Sequence, residues 1–206
     1  KDDSLIAVTR FAEKDSVFGG GKLTADGVAA LISEGGEGSL VVFDAEGSEK
    51  GRCALPGFTS AFTLLNGNAL TVFSAENGKL GCHTVEKGLT VTRSPFFLSG
   101  KYEVAEGVVI GEDILLFARE GENVAVIRFS HKEGFNVVKK YENCVFRQIV
   151  PLAGASSPAL CMLAERQDGM LLAVIGSTGA EEASTVADGV SEGALFADGV
   201  SVTLLH

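Results

Sequence analysis

Few side chains in this sequence stand where chemistry could be done. The histidines are three, His83, His131 and His206. Each lies in or beside a polar turn or at the terminus, where an imidazole is more often a solvated side chain than a general base. Gly19-Gly20-Gly21-Lys22 invites comparison with a phosphate-binding loop. Ser16 stands where the first glycine of such a loop belongs, and Leu23 where its magnesium-binding Ser or Thr belongs. No helix-forming run follows, so the stretch reads as a flexible loop. Gly176-Ser177-Thr178-Gly179 lacks the Gly-x-Ser-x-Gly order of a nucleophile elbow. The acid clusters Glu103/Glu106, Glu112-Asp113 and Glu181-Glu182 lack the alternating Asp/Asn and Gly spacing of a calcium loop and read as solvated turns. Cys53, Cys82, Cys144 and Cys161 form no C-x-x-C pair and have no histidine at zinc spacing. They fit buried thiols, with a disulfide in an oxidising compartment as the alternative. The sequence therefore points to no catalytic set, no metal and no cofactor.

The aromatic residues say more. There are 13 Phe and no Trp. Phe43, Phe73, Phe117 and Phe129 sit inside apolar runs and belong to a core. Phe58 and the pair Phe96-Phe97 lie in less regular stretches. Pro95 cannot donate a ladder hydrogen bond, so residues 94–101 read as a loop in which Phe96 and Phe97 need not be ladder residues. Exposed aromatics on a stiff β scaffold mark protein-binding surfaces, and Phe96 and Phe97 are the expected partner-binding residues. The rival expectation is that both rings fill a gap between sheets.

The elements that would position these residues are hairpins. In residues 62–79 two apolar runs flank Asn66-Gly67-Asn68, and the second ends in Glu76-Asn77-Gly78. Asn-Gly between β-formers signals a tight turn with positive φ at both central residues. Similar units occupy 28–43, 114–129, 159–175 and 193–205, with turns around residues 35–38, Gly121, Gln167-Asp168-Gly169 and Asp198-Gly199. A further strand is expected at 5–11. Weaker strands follow at 52–55, 80–85 and 135–141. The starts of the inner strands, near residues 39, 69, 124, 170 and 200, fall at repeat-like spacing. Residues 180–188 are the one remaining helix candidate.

Composition is globular, with 46% hydrophobic and 21% charged residues, and 26 Gly suit many tight turns. A net charge of −10 argues against nucleic acid and anionic lipid as partners. No apolar run reaches the ~20 residues of a membrane span, so direct insertion is not expected from this segment. The expected fold class is all-β: antiparallel four-stranded meander repeats forming a β-propeller, either small or part of a larger one. About four to five repeats would fill residues 1–206 as one domain, within a longer protein.

Phe73-Ser74-Ala75-Glu76-Asn77-Gly78-Lys79 and Asp44-Ala45-Glu46-Gly47 resemble the turn that ends strands in quinoprotein-like repeats, a group close to WD40-like propellers. The tryptophans that dock blades in true quinoproteins are absent, so cofactor binding is not implied. Residues 69–134 are also similar to the lumenal propeller of the largest subunit of the endoplasmic reticulum membrane protein complex. The likeness rests on residues 73–79, Ser94-Pro95 to Leu98-Ser99-Gly100, and the strand pair expected after them. That resemblance implies a non-enzymatic scaffold in a multi-subunit complex, bound to protein partners, in the endoplasmic reticulum lumen; the cytoplasm is the alternative location. The alternative is an enzyme or ligand-binding propeller with its site at a central channel.

Overall fold

The computed structural model describes residues 17–24, 27–34, 37–55, 60–66, 69–86, 89–152, 158–198 and 201–205. All regular structure among them is strand. The first sheet contains β1 (Val17–Thr24), β2 (Gly27–Glu34), β3 (Glu37–Phe43) and β4 (Glu49–Leu55). The second contains β5 (Ser60–Asn66), β6 (Ala69–Glu76), β7 (Lys79–Val85) and β8 (Val91–Ser99). The third contains β9 (Glu103–Ile110), β10 (Asp113–Glu120), β11 (Asn123–Ser130) and β12 (Gly134–Tyr141). The fourth contains β13 (Cys144–Leu152), β14 (Ala159–Arg166), β15 (Gly169–Gly176) and β16 (Glu181–Asp188). A two-stranded pair, β17 (Ala194–Asp198) and β18 (Ser201–Leu205), follows. Each four-stranded sheet is an antiparallel meander in chain order. The chain divides into two compact units between Ser99 and Gly100.

Local sequence explains the meanders. The inner strands carry Val, Ile, Leu and Phe on both faces, as strands buried on two sides must. β10 is buried throughout Ile114-Leu115-Leu116-Phe117-Ala118. The β6–β7 turn has φ of 50° at Asn77 and 73° at Gly78, the left-handed pair that a two-residue hairpin requires. Gly169 opens β15 at φ 151°. The turns expected at Gly67 and Gly199 lie outside the described residues, as do the strand expected at 5–11 and Phe58.

Packing occurs between sheet faces. In the first unit, Leu31 and Leu40 share a cluster with Leu70, Val72 and Val85 of the second sheet. Leu89, in the left-handed region at φ 62°, joins them by lying against Gly51 of β4. A Cβ added to Gly51 would stand 2.2 Å from Leu89 Cδ1, so that position tolerates no side chain while Leu89 stays. In the second unit, Leu115, Phe117 and Val126 pack on Leu160, Met162 and Ile175, and Phe117 meets Phe146 with ring centroids 5.8 Å apart. Leu195 of β17 packs on Leu163 and Met170. The Gln148 side chain brackets the Leu195 backbone, donating to its carbonyl at 3.2 Å and accepting from its N–H at 2.9 Å. Burial of an apolar side chain such as Leu195 stabilises by about 1.5–3 kcal/mol.

Four sequence expectations are corrected. The glycine-rich stretch is not a loop but β1, paired with β2 and bulged between Phe18 and Gly20. Residues 180–188 are not helical. They form the outer strand β16, whose exposed alternation of small and charged residues mimicked a helix. Residues 94–99 are not a loop but the end of β8. The second hairpin of the sequence, at 62–73, is the first and second strand of its sheet, whereas those at 28–43, 114–129 and 159–175 are the second and third. The hairpin itself forms, β5 pairing antiparallel with β6; its place in the repeat is one strand earlier than that of the others.

Candidate functional site

The site is built on one face of the second sheet. Strand pairing sets side chains of β6, β7 and β8 in rows across that face: Val72, His83 and Arg93 in one row, then Ser74, Gly81 and Phe97 in the next. Glu76 and Lys79 close the row beyond, beside the Asn77 turn. The Gly81 row has no side chain at its centre. A Cβ there would meet nothing nearer than the Ser74 carbonyl oxygen at 3.9 Å, so the row stays open. An open cleft of about 420 Å³ results, lined by Ser74, Glu76, Lys79, Arg93 and Phe97 among others.

The outer strand shapes the rim. Gly81 pairs with Phe97 and His83 with Arg93, so Ser94, Pro95 and Phe96 together oppose Cys82 alone. Pro95 supplies no ladder donor, and the Phe96 N–H turns back to Ser94 Oγ at 3.2 Å. Phe96 and Phe97, expected together in a loop, take different places. Phe96 lies in the bulge, half-buried, while Phe97 is a ladder residue after all, and is 56% exposed. Both line the cleft.

Charge is arranged around the Phe97 ring. Lys79 Nζ stands 4.3 Å from its centroid, a cation–π contact. The Arg93 guanidinium donates to Glu76 at 3.2 Å. Both partners of that pair are partly solvated, so it fixes geometry more than it stabilises. His83 corrects the surface assignment made from sequence: it is 2% exposed, and its Nδ1 has no hydrogen-bond partner. Burial lowers its pKa, the Arg93 charge lowers it further, and Glu76 opposes both. Burial and Arg93 thus favour the neutral imidazole. Its burial follows from its place in the centre of a row, opposite Val72, which a polar flanking sequence did not reveal.

The other chemistry-bearing residues are engaged structurally. His131 sits edge-on to Phe129 at 5.1 Å, and His206 lies outside the described residues. Glu103 pairs with Arg119 at 2.5 Å, Glu112 with Lys132 at 3.1 Å and Asp113 with Arg128 at 2.6 Å. Glu181 faces Lys139 at 3.7 Å and accepts from Ser184 at 3.1 Å. The Tyr141 hydroxyl is buried without a hydrogen bond of ordinary geometry, and burial and then Glu181 push its pKa up. All four cysteines are free, and burial pushes the Cys82 thiol up to about 12. No group of three or more His, Cys, Asp or Glu able to hold a metal comes together among the described residues.

No protein-family profile and no curated protein matches this chain. Solved structures do. A protein from Lactobacillus plantarum superposes with a TM-score of 0.56 at 12% identity, over 93% of this chain and 59% of its own. Kluyveromyces lactis Hsv2 gives 0.52 at 12% identity, over 81% and 51%. A prolyl endopeptidase gives 0.54 at 10% identity, over 88% and 29%. These are β-propeller-type proteins. The fold is that of a β-propeller. At such identities the likeness reaches the fold alone, and the chain spans between about half and three fifths of the first two structures.

Proposed function

We propose that this propeller is a protein-interaction module that binds without catalysis, through the surface of the second sheet around Phe96 and Phe97. The observation that supports this reading is the 56% exposure of Phe97 on an otherwise ordered strand, next to an open cleft. A large apolar ring held on a stiff ladder loses little conformational freedom on contact, which is how aromatic anchors work. Ser74 and Ser94 line the cleft, and the buried His83 Nδ1 makes no hydrogen bond to either hydroxyl. The likeness of residues 69–134 to a lumenal scaffold propeller favours membership of a multi-subunit complex, in the endoplasmic reticulum lumen.

Affinity capture with the wild type, Phe96→Ser and Phe97→Ser tests this, with melting measured in parallel. Phe97→Ser is expected to lose a specific partner and keep its melting temperature. A fall of several kcal/mol in stability, or an unchanged set of partners, would count against the reading. The Glu76–Arg93 pair in the cleft favours a second reading, a ligand-binding propeller. Native mass spectrometry showing a small molecule retained by the purified protein would decide for it.

A further inference from the structure

The partner chemistry of the cleft can be read from its charges, and this inference rests on the interaction surface proposed above. Among the residues whose side chains are described, Lys50, Arg52, Arg93, Arg119, Arg128, Lys132, Lys139, Lys140, Arg147 and Arg166 each sit in an ion pair. Lys79 does not. Its ammonium stands over Phe97 instead, 4.3 Å from the ring centroid. Inside the cleft two cations, Lys79 and Arg93, meet one carboxylate, Glu76, which Arg93 already occupies at 3.2 Å. This local excess of positive charge lies on a chain whose net charge is −10. In the same cleft, Asn77 carries an amide and Ser94 a hydroxyl, and the space beside Gly81 is free.

We propose that the cleft takes an extended, acidic protein segment. An Asp or Glu carboxylate of the partner pairs with Lys79, and a neighbouring aliphatic side chain lies against Phe97 in the room beside Gly81. Lys79 is exposed, and an ammonium held over a ring without a carboxylate partner favours an incoming carboxylate over a neutral amide of the same shape. The aromatic ring supplies apolar area that a free anion could not use, which selects a peptide over a small inorganic anion. Gly81 is the position that makes space for it, since any larger side chain would project into the cleft.

The test is an NMR titration of the isotope-labelled protein with two hexapeptides, Gly-Leu-Asp-Glu-Leu-Gly and its isostere Gly-Leu-Asn-Gln-Leu-Gly, capped at both ends, at fixed ionic strength. The acidic peptide should shift the amide signals of Lys79, Gly81 and Phe97. Lys79→Gln should weaken its binding by about threefold or more, the scale of a partly exposed ion pair, and leave the isostere unaffected. Gly81→Leu, which meets no backbone obstacle, should abolish binding of both peptides while preserving the rest of the spectrum. Equal binding of the two peptides, indifference to Lys79→Gln, or no binding of the acidic peptide would overturn the acidic assignment. The underlying surface is tested separately by Phe97→Ser. If that variant weakens both peptides equally while Lys79→Gln does nothing, the surface stands and its proposed chemistry fails. If Phe97→Ser changes neither titration, the surface itself is wrong.

Discussion

The second and third sheets are one scaffold finished in two ways. β6 and β10 correspond residue for residue from Ala69-Leu70 to Glu76 and from Asp113-Ile114 to Glu120, with nearly the same burial. Phe73 and Phe117 hold the same place and are both fully buried. β7 and β11 also correspond, each entered by a two-residue turn. The difference lies in two rows. The third sheet fills them with Ala118, Ala125 and Lys140, then Leu116, Ile127 and Val137. The second sheet has Ser74, Gly81 and Phe97, then Val72, His83 and Arg93. Their outer strands differ as well: β12 places two residues opposite Val126, where β8 places three opposite Cys82. Inner-strand apolar residues therefore set the scaffold, and two positions on β7 together with the β8 bulge turn one sheet face into a cleft.

The largest effect should come from the shared position. Phe73→Ala and Phe117→Ala should each cost about 3–5 kcal/mol in urea unfolding, as deletion of a buried ring does. A small loss at Phe73 alone would break the correspondence of the two sheets.

Next in size is the exchange at the row centre. Ile127→His buries an imidazole among apolar neighbours and should cost about 2–4 kcal/mol. An unchanged melting temperature would mean that the third sheet has room and polarity that its packing does not show.

The reverse exchange, His83→Ile, should stabilise by about 1 kcal/mol, since it removes a buried nitrogen without a partner. It should also remove a pH dependence. The folded imidazole has its pKa lowered from 6.5, first by burial and then by Arg93, against Glu76. The unfolded chain therefore binds the proton more readily. Stability falls as pH drops below about 6.5, by at most about 1.4 kcal/mol per unit, until the folded pKa is reached. Urea midpoints measured across that range should lose this component in His83→Ile. Parallel pH curves for wild type and variant would show that His83 is not held neutral.

The smallest effect belongs to Gly81→Ala. A glycine within a strand costs roughly 0.5–1 kcal/mol relative to alanine, and the added Cβ finds open space. A modest rise in melting temperature is expected. A fall would mean that the row is narrower than its neighbours indicate.

The sequence by itself determined the repeat of paired apolar strands, because residues buried on both faces must be apolar at successive positions. It determined the Asn77-Gly78 turn, because few residues other than Asn and Gly accept a left-handed pair. Phe43, Phe73, Phe117 and Phe129 were legible as core for the same reason. Edge strands were not legible: β8 and β16 are largely exposed, and β1, β8 and β16 carry glycine, proline or small polar residues that local rules assign to loops or helix. Phase within a sheet was not legible either, because first and inner strands have similar apolar runs. Only the tertiary structure decided that His83 is buried, that Phe97 is a ladder residue lying over from Gly81, and that Lys79 meets its ring. Those facts depend on which residues of three different strands share a row, and register across a sheet is fixed by hydrogen bonding and bulges between strands, not by the order of residues within any one of them.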